Sequence, residues 1–89
     1  MLKYELKDVD GAIADLTISI QHDAGNFRTH YNLANLQLGK QNLKEAELTM
    51  KSGLALWPDS QEGNYLLSLI YTAQGRDEEA SAIMKRLGQ

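Results

Sequence analysis

The sequence predicts an all-α fold, built as a solenoid of antiparallel helix pairs, and three observations lead to that prediction. The chain repeats itself with a period of 34 residues, its apolar residues recur at three- and four-residue steps, and helix-breaking or helix-capping residues separate the apolar stretches. A fixed period in this range indicates similar helical units stacked in a row, each contacting only its neighbours.

The period is visible in the alanines. Ala12, Ala46 and Ala80 are evenly spaced, since 46 − 12 = 34 and 80 − 46 = 34. When residues 27–55 are laid over residues 61–89, six of the 29 positions are identical, where average amino-acid usage predicts roughly two. The identical pairs are Tyr31/Tyr65, Leu33/Leu67, Glu45/Glu79, Ala46/Ala80, Met50/Met84 and Lys51/Lys85.

This register divides a single domain, residues 1–89, into three parts. Residues 1–26 form a partial repeat, residues 27–60 a full repeat and residues 61–89 the last repeat. Counting back from Ala12 leaves only residues 1 to about 6 for the first helix of the first unit, so we expect the chain to begin inside a repeat. It ends on Leu87-Gly88-Gln89 without the polar helix that commonly closes such arrays, and we expect about two and a half repeats of a longer protein.

Each unit contains two amphipathic stretches. In the full repeat, apolar residues recur at helical spacing from Tyr31 to Leu38 and again from Leu43 to Leu54, which predicts one apolar stripe on each of two helices. The same pattern follows in the last repeat.

Local signals set the helix boundaries. Asn42, with Glu45 three residues later, predicts a capping box at the start of the second helix of the full repeat. Pro58 ends that helix, Ser60 is positioned to cap the next one, and Gly75 supplies a turn in a left-handed conformation. We expect helices over residues 9–21, 27–39, 43–56, 61–74 and 77–87.

Composition and charge argue against several classes of function. Nine basic and 12 acidic residues give a net charge of −3 with no basic stripe, which argues against a nucleic-acid partner. The apolar runs are far shorter than the ~20 residues of a membrane helix, and the start of the chain lacks the pattern of a secretory signal, so we expect a soluble chain. The absence of cysteine suits either redox compartment, and the sequence assigns none.

A period of 34, small residues within each helix pair and a proline at the end of the pair resemble the tetratricopeptide-repeat (TPR) family. Leu33 and Ala34 match the family's Leu-Gly pair, Ala46 and Gly53 its small residues, and Pro58 its proline. The sequence departs from the family at His30 and Asn64, where tryptophan is usual, at Gln37 in place of a tyrosine, and at Leu87 in place of a small residue. The small residues have a physical role, because two helix backbones can approach closely only where side chains are small.

The resemblance implies a right-handed α-solenoid that acts as a protein-interaction scaffold. In this family the first helix of each unit lines a concave groove that binds a peptide or helix of a partner. By resemblance, the groove-facing residues here are Arg28, Tyr31, Asn32, Asn35, Glu62, Tyr65, Leu66, Leu69 and Thr72. The cations of the family's clamp for chaperone carboxylates are missing, since Glu62 and Leu66 stand where they would be needed.

Two alternatives weigh against a specific groove. Tyrosines on helices commonly serve packing, and Asn32 and Asn35 are equally compatible with ordinary solvated positions. A second hypothesis is a structural spacer or self-association element, in which the apolar ends of the array meet another copy in a homodimer; a charge at Ile83 in the end helix should then dissociate it.

No residue pattern points to catalysis, a cofactor or a metal. The chain lacks a nucleophile motif, a glycine-rich phosphate loop and a recognisable carboxylate pair. His22 and His30 have no cysteine to join them as a third ligand. The acidic run Asp77-Glu78-Glu79 and the basic pair Lys85-Arg86 suit the two ends of a helix dipole. We expect Trp57 to pack against its turn, with an exposed interaction point as the alternative.

Overall fold

A computed structural model describes residues 4–23 and 25–88, with side chains from residue 9 onward. The described residues form five α-helices and no strand: α1 (Tyr4–His22), α2 (Phe27–Gly39), α3 (Leu43–Leu56), α4 (Gln61–Ala73) and α5 (Asp77–Gly88). Each helix packs against the next one in the chain, and α2 also contacts α4. The fold is therefore an all-α solenoid, as the sequence predicted.

The boundaries of α2 to α5 agree with the prediction to within one residue. The prediction for α1 was wrong, because the described helix already includes Tyr4, five residues before the expected start at residue 9. The expected remnant of an earlier helix is not separate in the described residues: Lys7 and Asp8 continue α1 without a turn. Neither glycine nor proline interrupts this stretch, so nothing stops the helix from continuing. Met1–Lys3 lie outside the described residues.

Two of the inter-helix turns share one geometry. After α2 the Asn42 N–H donates to the Gln37 carbonyl oxygen at 2.9 Å, and after α4 the Arg76 N–H donates to Tyr71 at 2.8 Å. Both are Schellman motifs, which place one residue in the left-handed region. Gly75 occupies that place at φ +80°, whereas in the earlier turn Gln41 adopts φ 65°.

Helix caps followed the prediction in one case and not in another. The Ser60 hydroxyl accepts from the Gly63 N–H at 3.0 Å, which confirms the cap of α4. Asn42 precedes α3 but its side chain makes no capping hydrogen bond, so the predicted capping box is absent. The Asn42 N–H is already held by the Schellman motif, and ψ of 69° is outside the extended range usual for a capping residue.

The core runs along the inner sides of α2 to α5. Its fully buried residues include the small side chains Ala34 and Ala46, both at 0% exposure, beside Met50 and Ile70. A Cβ added to Gly53 would lie 2.9 Å from the Cβ of His30, so the backbones of α2 and α3 approach closely there. This is the physical role predicted for the small residues.

An ion-pair network joins α3 to the turn before α5. The Glu47 carboxylate, whose side chain is 14% exposed, lies 3.0 Å from Lys51 Nζ and 2.9 Å from Arg76 Nη1. Arg76 also pairs with Glu79 at 2.8 Å, and its guanidinium lies 4.4 Å from the centre of the Tyr71 ring. The hydrogen bond from Lys51 outweighs burial and, with help from the Gln74 amide and the Arg76 charge, holds the pKa of Glu47 below its ordinary value of 4.5.

Candidate partner-binding surface

The two first helices of the repeats, α2 and α4, lie beside each other in matching register. Arg28 Nη2 donates to Glu62 Oε1 at 2.8 Å, and these residues are 34 positions apart. The side chains are 56% and 60% exposed, so solvent screens the pair and it contributes little stability. The Arg28 guanidinium also lies 5.1 Å from the centre of the Tyr31 ring. The pair therefore joins two of the predicted groove residues directly.

Most of the other predicted groove residues are accessible on the same two helices. Asn32 and Asn35 are exposed on α2, and Tyr31 is half-buried beside Phe27, with the ring centres 6.1 Å apart. On α4, Tyr65 is 46% exposed and Leu69 is 40% exposed. Large apolar side chains at this exposure, one helical turn apart, form a surface that a partner could cover.

Thr72 and Leu66 complete the predicted set and differ from each other. Thr72 is exposed, and its hydroxyl donates to the Ser68 carbonyl oxygen at 3.0 Å. Leu66 is only 2% exposed and belongs to the core, so its burial argues against the predicted contact with a ligand. Asn32, at the same position in the preceding unit, is exposed. The difference comes from the neighbouring helix. The first helix of the preceding repeat, α2, packs against α4 and covers Leu66, whereas the described residues contain no such helix beside α2 to cover Asn32.

Sequence reasoning missed a pocket at the edge of this surface. A cavity of about 440 Å³ lies where α2 and α4 begin and is lined by Phe27, Leu56, Trp57, Pro58, Asp59, Ser60 and Glu62. Trp57 packs edge-on against Phe27 with ring centres 5.7 Å apart, and it is still 40% exposed. Trp57 thus combines the packing role that we expected with the exposed alternative. The Trp-Pro pair was a visible signal, but its distance to Phe27 depends on how two helices meet.

The end helix α5 differs from the expectation of an apolar end. Ile83, where we placed a disrupting charge, is 8% exposed and belongs to the core. A charge there would unfold the helix pair and would not report on self-association. Met84 is exposed at 44%, but acidic residues fill the first turn of α5 and Lys85 and Arg86 its last turn, as predicted for the helix dipole.

The histidines have structural surroundings. His30 is 3% exposed, and its Nδ1 lies 2.9 Å from the Asn26 carbonyl oxygen, while His22 is exposed at the end of α1. Within residues 4–23 and 25–88, no three His, Cys, Asp or Glu side chains are grouped so that they could hold a metal ion. None of the described helices combines the length and apolar character needed to cross a membrane.

Comparison with known proteins supports the fold. No family model matches the chain, and no curated protein matches its sequence. A solved structure of MamA from AMB-1, a TPR protein, matches with a TM-score of 0.87 and 24% sequence identity. The match covers 98% of this chain and 48% of that one, so the chain spans about half the length of the solved protein. The likeness shows a helical-repeat fold of the TPR type.

Proposed function

We propose that the chain is a protein-interaction scaffold that binds a peptide or helix of a partner on the exposed surface of α2 and α4. The observation that carries this proposal is the pair Tyr65 and Leu69, two large apolar side chains exposed on one face of α4. Asn35 on α2 adds an exposed amide that can both donate to and accept from a ligand backbone. The TPR-type fold supports the same function, since stacked helix pairs create extended binding surfaces.

A selection from random peptides tests the proposal. Peptides displayed on phage are selected on the immobilised chain and then measured against Tyr65→Ala and Leu69→Ala. We expect Tyr65→Ala to weaken the selected peptides by about tenfold or more, because buried aromatic anchors dominate such interfaces. Leu69→Ala should weaken them less, through the loss of its buried apolar contact. Ile18→Ala is the matched control, since Ile18 is 51% exposed on α1, away from this surface.

Two results would contradict the proposal. One is a selection that yields no binder. The other is a set of binders that tolerates Tyr65→Ala and Leu69→Ala as well as it tolerates Ile18→Ala. Circular dichroism of each variant verifies that the helical content is unchanged, and both target side chains are exposed enough that truncation should leave the fold intact.

Self-association stays a separate prediction. Met84 replaces Ile83 as the residue to change, because Met84 is exposed and Ile83 is buried. If the end helix joins two copies, Met84→Lys should convert a dimer into a monomer in light scattering. A chain that is monomeric before the substitution would remove this second hypothesis.

A further inference from the structure

A second cavity lies on the other side of α2, away from the proposed groove. It measures about 260 Å³ and lies between α1 and α3, with α2 as its floor. His30, Leu33 and Gln37 contribute the floor. At 3.6 residues per turn these positions point to the side of α2 opposite Tyr31 and Asn35. The cavity is therefore separate from the surface formed with α4.

The floor contains a polar atom without a partner. Gln37 is 7% exposed as a residue, and its side-chain Oε1 is buried without a hydrogen bond among the described residues. A buried acceptor left unpaired costs about 1–3 kcal/mol, so a donor that reached it would be favoured. The last torsion of a glutamine side chain is soft, and a rotation of the amide that exchanges Oε1 with Nε2 would turn the oxygen toward the cavity.

Each of the three helices contributes one large apolar side chain to the cavity, beside the polar residues Thr17, Gln21, Thr49 and Ser52 on its walls. Ile20 from α1 and Leu33 from α2 line it, and Leu48 from α3 stands at its edge with 62% of its surface exposed. Most of the Leu48 surface therefore gains nothing from burial in this chain by itself. An apolar body placed against these three side chains would remove that surface from water.

The next repeat carries larger side chains at several of the corresponding positions and smaller ones at those of His30, Leu48 and Gln21. Tyr71 lies 34 residues after Gln37, and Ile83 lies 34 residues after Thr49. Both of these larger side chains are buried in the core. Arg86 likewise corresponds to Ser52, and its Nη2 donates to Asn64 Oδ1 at 3.2 Å. Smaller residues at Gln37, Thr49 and Ser52 thus line the cavity between α1 and α3.

We infer that this cavity is a docking site for a tyrosine side chain of a partner protein. The phenol ring would take the volume that Tyr71 and Ile83 occupy in the next repeat, against Ile20, Leu33 and Leu48. The phenol hydroxyl would donate to Gln37 Oε1. A tyrosine is favoured over a phenylalanine because the floor holds an unpaired acceptor that the rotated amide can offer, and over a charged side chain because, in the described part of the chain, no Asp, Glu, Lys or Arg lines the cavity to pair with it. The site lies outside the proposed groove and does not depend on it.

The side-chain analogues p-cresol and toluene test this inference on the intact chain. In ¹H–¹⁵N spectra, p-cresol in the millimolar range should shift the amides of Gln37, Leu48 and Thr49. It should bind about fivefold more tightly than toluene, which has the same ring and methyl group without the donor. Gln37→Leu should abolish this preference. Thr49→Ile, which copies the next repeat, should weaken both ligands, whereas the control Ser81→Ile, at an exposed position of α5 outside both proposed sites, should weaken neither.

Three outcomes would overturn the inference. These are the absence of shifts at the cavity amides, equal affinity for p-cresol and toluene, and a preference for p-cresol that survives Gln37→Leu. Melting curves recorded for each variant separate loss of the site from loss of the fold. Phage-selected peptides that bind α2 and α4 should leave the cavity amides unchanged, so this test and the test of the groove can fail separately.

Discussion

Replacing Gly53 by alanine tests whether α2 and α3 are held together by close backbone approach. The added Cβ would lie 2.9 Å from the Cβ of His30 and 3.2 Å from the Cε of Met50. The Met50 contact can relax because it involves the flexible end of a side chain. The His30 Cβ cannot, because it moves only with α2. Overpacking of this kind costs about 1–3 kcal/mol, against a gain of about 0.5–1 kcal/mol from replacing a glycine inside a helix.

We expect Gly53→Ala to lower the free energy of unfolding by about 1 kcal/mol, which corresponds to a melting temperature about 4–8 °C lower for a domain of this size. Gly11→Ala is the matched control, since Gly11 is exposed in α1 and has nothing within 4 Å of its added Cβ. Gly11→Ala should gain the higher helix propensity of alanine without any clash, so its melting temperature should be above that of the parent chain. Thermal unfolding followed by circular dichroism measures both. Equal increases for the two variants would refute the close-approach argument.

Two other substitutions probe the turn and the ion-pair network. Gln41→Gly should stabilise the chain by about 1 kcal/mol in a denaturant titration, because Gln41 adopts φ 65° where the equivalent turn has Gly75; no gain would mean that the turn is unstrained. Glu47 has a folded pKa below 4.5, so its contribution is present above that pH and is lost as the pH falls through the folded pKa. Between pH 5 and pH 3 (about the titration range of a carboxyl group), the melting temperature of Glu47→Gln should fall less than that of the parent, and parallel curves would contradict the role assigned to Lys51 and Arg76.

The helices that the sequence predicted well are those bounded by strong local signals. Pro58 and Ser60 fix the turn between α3 and α4, and Gly75 marks the end of α4, so these boundaries follow from a few adjacent residues. The start of α1 has no such signal, and a count backwards along the repeat placed a break where the chain continues as helix. The Asn26 side chain accepts from the Thr29 N–H at 3.4 Å and caps α2, a cap that was not predicted.

The candidate surface was less predictable, because exposure depends on which helix lies beside a residue. Asn32 and Leu66 occupy the same place in the repeat, yet one is exposed and the other is in the core. The period specifies the direction in which a side chain points and cannot specify whether a neighbouring helix covers it. The pocket formed by Phe27 and Trp57 has the same origin, since the two residues are 30 positions apart and meet only when α2 and α3 pack.

The two proposed sites use opposite sides of α2, and this arrangement determines how they can influence each other. A peptide in the proposed groove touches α2 only at exposed side chains such as Asn35, and the Arg28–Glu62 pair that joins α2 to α4 there is exposed and weak, so the peptide exerts little force on the helix. A tyrosine docked behind α2 would instead press on Leu33 and on His30, which the Asn26 carbonyl oxygen and Gly53 hold in place. Because packed helices resist such displacement, α2 should remain fixed and the sites should bind independently. Cooperative binding of p-cresol and a groove peptide would contradict this and show that α2 shifts as a unit. Two ligands bind cooperatively through a helix that both contact only if that helix has two arrangements and both ligands favour the same one.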